Sequence, residues 1–181
     1  MVGVLKTFDI PSELYADDVK NIAGLCIGKY GLREWKAAVL TNEIHGHLGI
    51  YSTVGAKMGL RARELFEEAG CKGEISAVSF AGLQPPVSCL NDGLQVGSGA
   101  SLGHGLISVS DEPEKRVEAR FSCEGKSLTL SLKPEYSAII CADIKEGVER
   151  YGHSPAYWQY IRNLALRYWS TWARWEIFDC R

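Results

Sequence analysis

Ile44-His45-Gly46-His47-Leu48-Gly49 is the stretch on which the fold turns, because it opens into the most regular helical pattern of the chain. Two of the four histidines stand there, one residue apart. Beyond them the apolar or small positions are Leu48, Tyr51, Gly55, Met58, Ala62, Leu65 and Ala69. Steps alternating between three and four predict an amphipathic helix buried along one stripe. Gly55 and Gly59 cost helix propensity but admit a second backbone at close range. Lys57, Arg61, Arg63, Glu64, Glu67 and Glu68 fall mostly on the other faces, and Gly70 is the expected stop. A His-x-His pair is thereby placed at the N-terminal end of a half-buried helix.

Working outward, Ile10-Pro11-Ser12 starts a helix expected over about Ser12–Tyr30, closed by Gly31. The apolar run within Lys36–Ile44 reads equally as helix or strand. On the other side, residues 73–80 alternate polar and apolar and predict a strand, and Leu106–Val109 is a second candidate. Val117–Cys123 and Ser127–Leu132 alternate around Glu124-Gly125, a hairpin signal. Pro134 opens a helix to about Tyr151. Ser154-Pro155 caps a last helix expected over about 155–175, and His153 before it falls in an exposed loop. Its stripe is Trp158, Ile161, Ala165, Tyr168, Trp172 and Trp175. That apolar load suits either packing on its own core or a homodimer surface, since Trp and Tyr anchor interfaces.

The 181 residues suit one α+β domain over 1–181, with no repeat, low-complexity segment or linker dividing them. With 46% hydrophobic and 23% charged residues the composition is that of a soluble globular chain. A formal charge of −2 without a basic run argues against nucleic acid as a partner, and no apolar run approaches membrane-spanning length. Met1–Leu5 does not read as a signal peptide, which sets a cytoplasmic expectation. Six cysteines without a C-x-x-C are then expected as reduced thiols, with Cys123 in the core and Cys26, Cys71 and Cys141 lacking partner spacing.

A second chemical region is Gln84-Pro85-Pro86-Val87-Ser88-Cys89-Leu90-Asn91-Asp92-Gly93-Leu94-Gln95. On a helix starting near Pro86, Val87, Leu90 and Leu94 share one face while Cys89 and Asp92 point roughly the opposite way, flanked by Gln95. Asp92 then suits a ligand's hydrogen bond or the support of a metal-binding imidazole, and Gln95 both donates and accepts. The bland alternative is a packed thiol beside two solvated side chains. In the loop that follows, Gly97, Gly99, Gly103 and Gly105 let backbone amides crowd toward an anion or a neighbouring segment. It is neither a dinucleotide fingerprint nor a P-loop, because its spacing is wrong and no Gly-Lys-Ser/Thr occurs. His104 adds a third imidazole nearby.

Together, His45-Gly46-His47-Leu48 and Cys89-x-x-Asp92-x-x-Gln95-Val96-x-x-Gly99-x-Ser101-Leu102-Gly103-x-Gly105 resemble the FmdE family, which takes its name from one component of formylmethanofuran dehydrogenase, a molybdenum or tungsten enzyme. In that family a His-Gly-His-Leu-Cys-Pro-Gly segment opens a long Gly-containing helix. A Cys-x-x-Asp-Ala-Ile-Gln segment and a Gly-Cys-Thr-Phe-Gly-Lys-Gly loop follow. The resemblance covers about Ile44–Ile107 and implies a mixed β-sheet flanked by helices, an intertwined homodimer, and a metal site built from the motif His and Cys, commonly holding zinc.

This chain departs from that pattern at Gly49 and Ala100, where the family has cysteines, at Ile50-Tyr51, and at His104, where it has lysine. Many members also end in a cysteine-rich zinc finger, whereas here the tail is the Trp-rich helix with Cys180 near its end. The expected metal ligands are therefore His47, His45, Cys89 and His104, a nitrogen-rich set suited to zinc, with nickel or copper next. A helix cap or a carbonyl contact explains either histidine of the turn without a metal. With three ligands such a site is open, with four it is structural, and Asp92 is a supporting carboxylate or a base. Gln95, Gly97, Gly99, Gly103 and Tyr51 are the residues expected around a small-molecule ligand. Three functions follow as expectations: an accessory or ligand-binding protein of a molybdenum or tungsten oxidoreductase, a hydrolase-like metalloenzyme acting on a small molecule, or a dimeric interaction module with a structural metal.

Overall fold

The computed structural model describes residues 7–152 and 154–181, so the readings of Met1–Leu5 and His153 lie outside the described residues. Three consecutive helices, α1 (Asp17–Tyr30), α2 (Leu32–His45) and α3 (Ile50–Glu68), make up the first third of the chain. The helix expected from Ser12 is interrupted: Ser12–Leu14 is a short 3-10 turn, and Tyr15 and Ala16 are extended. Tyr15 explains the break. Its ring packs edge-on against Trp35 at 5.5 Å, and its hydroxyl accepts from Trp35 Nε1 at 3.1 Å. The apolar run that suits helix and strand equally is helix, the later part of α2.

α3 corrects the expectation of a single buried stripe. From Ile50 through Leu60 every residue is buried, Lys57 included at 1% exposure. Lys57 Nζ donates to Glu34 at 2.5 Å and to the carbonyls of Trp169 at 3.1 Å and Trp172 at 2.8 Å. Arg174 closes the cluster by donating to Glu34 at 2.9 Å, to Glu64 and to the Tyr30 carbonyl. A buried cation is tolerable only when paired and fully hydrogen-bonded, and this one is both.

The other side of α3 meets α4 (Leu90–Ser98) backbone to backbone. A Cβ on Gly55 would strike the Leu90 carbonyl, one on Gly59 would stand 2.5 Å from the Ser98 nitrogen, and one on Gly93 would strike the Ser52 carbonyl. Gly55, Gly59 and Gly93 therefore serve helix contact, with Leu90 and Leu94 fully buried beside them.

Five strands form one mixed sheet in the order β2-β1-β3-β4-β5: β1 (Ser76–Ser79), β2 (Ile107–Val109), β3 (Glu118–Cys123), β4 (Lys126–Leu132) and β5 (Phe178–Cys180). β1 and β2 are parallel and the other pairs antiparallel. The hairpin falls where expected, with Glu124 and Gly125 both at positive φ. Ala119, Phe121, Cys123, Leu130 and Leu132 turn inward, so one face of the sheet carries the core and the other is wetter.

α5 (Pro134–Tyr151) and α6 (Pro155–Thr171) complete the fold. Ser154 occupies the cap position of α6 but its side chain makes no capping bond. α6 stops at Thr171, short of the expected 175, because Lys57 and Arg174 hold the following segment and turn it toward β5, a strand that no sequence pattern announces. The packed face is Ile161, Leu164, Ala165, Tyr168 and Trp169, the last stacked on Trp35 at 4.6 Å, while Trp158 and Trp175 are 57% and 48% exposed. Among the described residues no helix is long and apolar enough to cross a membrane.

Candidate functional site

The His-Gly-His turn links the end of α2 to the start of α3. His45 is the last residue of α2, Gly46 takes the left-handed conformation that ends the helix (φ +80), and Gly49 caps α3. Asn42, one turn earlier, holds the turn in shape. Its amide donates to the Ala38 carbonyl at 2.8 Å and to Thr53 at 3.2 Å, and its oxygen accepts from Gly49 N at 2.9 Å and Ser52 Oγ at 2.8 Å. Sequence reasoning misses this residue; its one signal is a polar amide in the interior of an apolar helix segment.

His45 Nδ1 lies 2.7 Å from Asp92 Oδ2. An ionised carboxylate only accepts, so this nitrogen carries the hydrogen toward Asp92. The Nε2 atom on the far side is buried and has no hydrogen-bond partner among the described residues. It faces Gly49: a Cβ there would stand 3.3 Å from Nε2 and 2.7 Å from Ser52 Oγ. The ring and the serine hydroxyl fill the space that a side chain at position 49 would need.

Below His45 a cavity of about 400 Å³ is walled by Leu83, Pro85, Leu102, Ile107 and Val109, with Ser88, Cys89, Asn91, Asp92, Gln95 and Ser108 as its polar members. The outward face expected for Cys89, Asp92 and Gln95 is this wall. Burial, helped by the Asp92 charge, raises the Cys89 thiol and keeps it protonated. Gln95 is spent locally, accepting from Leu102 N at 2.9 Å and donating to the Asn91 carbonyl at 3.4 Å. Asn91 donates to the Gly82 carbonyl at 2.9 Å, while its oxygen is buried without a partner.

The remaining expected residues lie apart. His47 is exposed; its ring centroid is 4.4 Å from that of His45 and 6.3 Å from that of Trp158, on the side of two other cavities of about 300 and 470 Å³. Its pKa is lowered by burial and by the neighbouring His45 charge, against an opposing contribution from the His45 backbone. His104 is exposed in a 3-10 turn, where its backbone nitrogen donates to Ser101 Oγ at 3.3 Å, and it does not line the His45 cavity. Gly97 packs against the Ala56 carbonyl, Gly99 ends α4 beneath Arg63, and Gly103 has open space around it. Tyr51 is buried, and burial, with smaller effects from Cys141 and Cys89, pushes its phenol up to about 12.

Imidazole and thiol suit zinc or nickel chemically, but their placement does not make a three-ligand centre. Among the described residues no three His, Cys, Asp or Glu side chains converge to hold an ion. His45 has one nitrogen on Asp92 and the other against Gly49, and the Cys89 thiol is protonated. The structure joins His45, Cys89, Asp92 and Gln95 in one cavity, sets His47 beside it, and leaves His104 outside.

Fold and site together define a small α+β protein with a ligand-sized cavity at a helix junction. The chain belongs to the FmdE family: residues 44–176, more than half of it, match the family described as FmdE, Molybdenum formylmethanofuran dehydrogenase operon. No curated protein matches it.

Proposed function

We propose that this chain is a small-molecule-binding accessory protein of a molybdenum or tungsten formylmethanofuran dehydrogenase system, with the cavity below His45 as its binding site. The carrying observation is the His45–Asp92 pair at 2.7 Å, set into an otherwise largely apolar wall. Only one Asp92 oxygen is engaged by His45, and the Asn91 oxygen has no partner. A cavity with unspent acceptors and aliphatic walls takes a planar ring that donates N–H groups. A partly exposed carboxylate matches a two-donor edge of such a ring in a fork geometry. Exposed Leu83 and Leu102 at the rim, and Ile44 beside His45, support closure by a second copy or by the dehydrogenase.

One observation favours a second reading, in which zinc or, next, nickel docks on the turn. The His45 and His47 rings lie 4.4 Å apart, and His45 Nε2 lacks a protein partner. Two imidazoles leave the remaining positions to exogenous donors.

The test titrates 2-aminobenzimidazole, a planar ring with a two-donor edge, into the wild type and the Asp92→Asn variant, beside elemental analysis of wild type, His47→Ala and Cys89→Ala. Saturable binding weakened about tenfold or more by Asp92→Asn is expected. Equal binding by both proteins, or no binding together with stoichiometric metal lost in His47→Ala, would sink the ligand reading in favour of the metal.

A further inference from the structure

We infer that the face formed by α2, α3 and the end of α4 carries an oxyanion-binding site, separate from the His45 cavity. Three cations surround a cavity of about 200 Å³: Arg33 and Lys36, neighbours on α2, and Arg63 from α3. Its apolar wall includes buried Ala37 and Leu60. Water occupies about 30 Å³ per molecule, so the space accepts one phosphate or carboxylate group with a few waters.

The positive charge there is only partly compensated, with Glu67 the nearby carboxylate that acts on it. Arg33 pairs with Glu67 at 2.9 Å, but both are about half exposed, and such a pair neutralises little. Among the described residues Lys36 and Arg63 have no carboxylate within ion-pair distance. The Lys36 ammonium has the Phe8 ring 5.7 Å away, and Arg63 gives one nitrogen to the Ser98 carbonyl. That bond ties the half-buried guanidinium to the end of α4, at the edge of the cavity it lines. Burial, and next the Arg33 charge, lower the Arg63 pKa against an opposing contribution from Glu67, in keeping with two guanidinium groups on one face. In a chain of net charge −2 this concentration of positive charge is local and directional.

A guanidinium fork and an ammonium across a small polar cavity are the donors that recognise phosphate or carboxylate oxygens. Lys36 lies nine residues before His45, about 14 Å along the helix axis, so this site binds its oxyanion whatever occupies the other cavity.

The test is calorimetric titration of the full chain at low ionic strength with inorganic phosphate, pyrophosphate and citrate, each against sodium chloride of matched ionic strength. Saturable binding above the chloride control is expected. It should weaken about tenfold in Lys36→Gln and in Arg33→Gln, and stay unchanged in the remote Lys133→Gln. Lys36→Gln is the decisive variant because, among the described residues, it breaks no hydrogen bond or ion pair and loses only the long contact with the Phe8 ring. Preference for the phosphates over citrate assigns a phosphate-bearing ligand, and the reverse a polycarboxylate. Heat no greater than with chloride, or equal affinity in Lys36→Gln, overturns the site.

Discussion

Two polar clusters hang on α2 and α3, one near the middle of the pair and one at the turn that joins them. Around Lys57 every charge is matched: Lys57 and Arg174 donate to Glu34, Glu64 and three backbone carbonyls in a largely buried setting. Around His45 the pattern is incomplete: the imidazole meets Asp92 at 2.7 Å, but the Asn91 oxygen is buried without a partner among the described residues, beside a 400 Å³ cavity. Native proteins satisfy nearly all buried polar groups, and the unpaired Asn91 oxygen is one support for the proposed ligand site. The first cluster fixes the C-terminal segment to the helices. The second lines the cavity proposed as the binding site.

The largest effect should come from Lys57→Met. Removing the cation strands two carbonyls and leaves Glu34 to Arg174 alone, which should cost about 3 kcal/mol in urea unfolding. A loss below about 1 kcal/mol would break the contrast, since the saturated cluster would then carry no more than an ordinary hydrogen bond. Asp92→Asn keeps the shape of the second cluster and removes the charged acceptor. A loss of about 1 kcal/mol is expected in the same measurement. A cost equal to that of Lys57→Met would show that His45–Asp92 is a structural pair after all.

The smallest effect is a pH effect at His47. Its pKa in the folded chain lies below its ordinary value of 6.5. As pH falls below 6.5 the unfolded chain takes up this proton first, so stability is complete above that pH and is lost as pH falls through the folded value. His47→Gln should flatten this acid limb in unfolding midpoints taken between pH 7 and 5. An unchanged slope would detach His47 from its neighbours.

Periodicity makes much of this legible. The α3 pattern, the sidedness of Cys89 and Asp92 against Leu90 and Leu94, the hairpin and α5 all follow from local spacing. What fails does so for identifiable reasons. Lys57 reads as solvent-facing because a charge on an apolar helix belongs there unless distant partners meet it, and Glu34 and Arg174 are distant in sequence. The Trp stripe runs on past Thr171 because aromatic spacing persists after the backbone has left the helix. β5 is three residues long, too short for a pattern. At the site, helix geometry puts Asp92 outward, but that it meets His45, and that His104 stays away, depends on how α2, α4 and the glycine loop pack.

The glycine seam between α3 and α4 has a consequence for how specificity can change. With Gly55, Gly59, Gly93 and Gly97 pressed against the opposite backbone, the two helices act as one beam, and a side chain at any of the four would pry it apart. Asp92 rides on that beam, so the back wall of the cavity keeps its position whatever enters. Change is then cheapest at the rim, where Leu83 and Leu102 are exposed, and a library randomised there should alter binding at the proposed site while leaving the melting temperature nearly still.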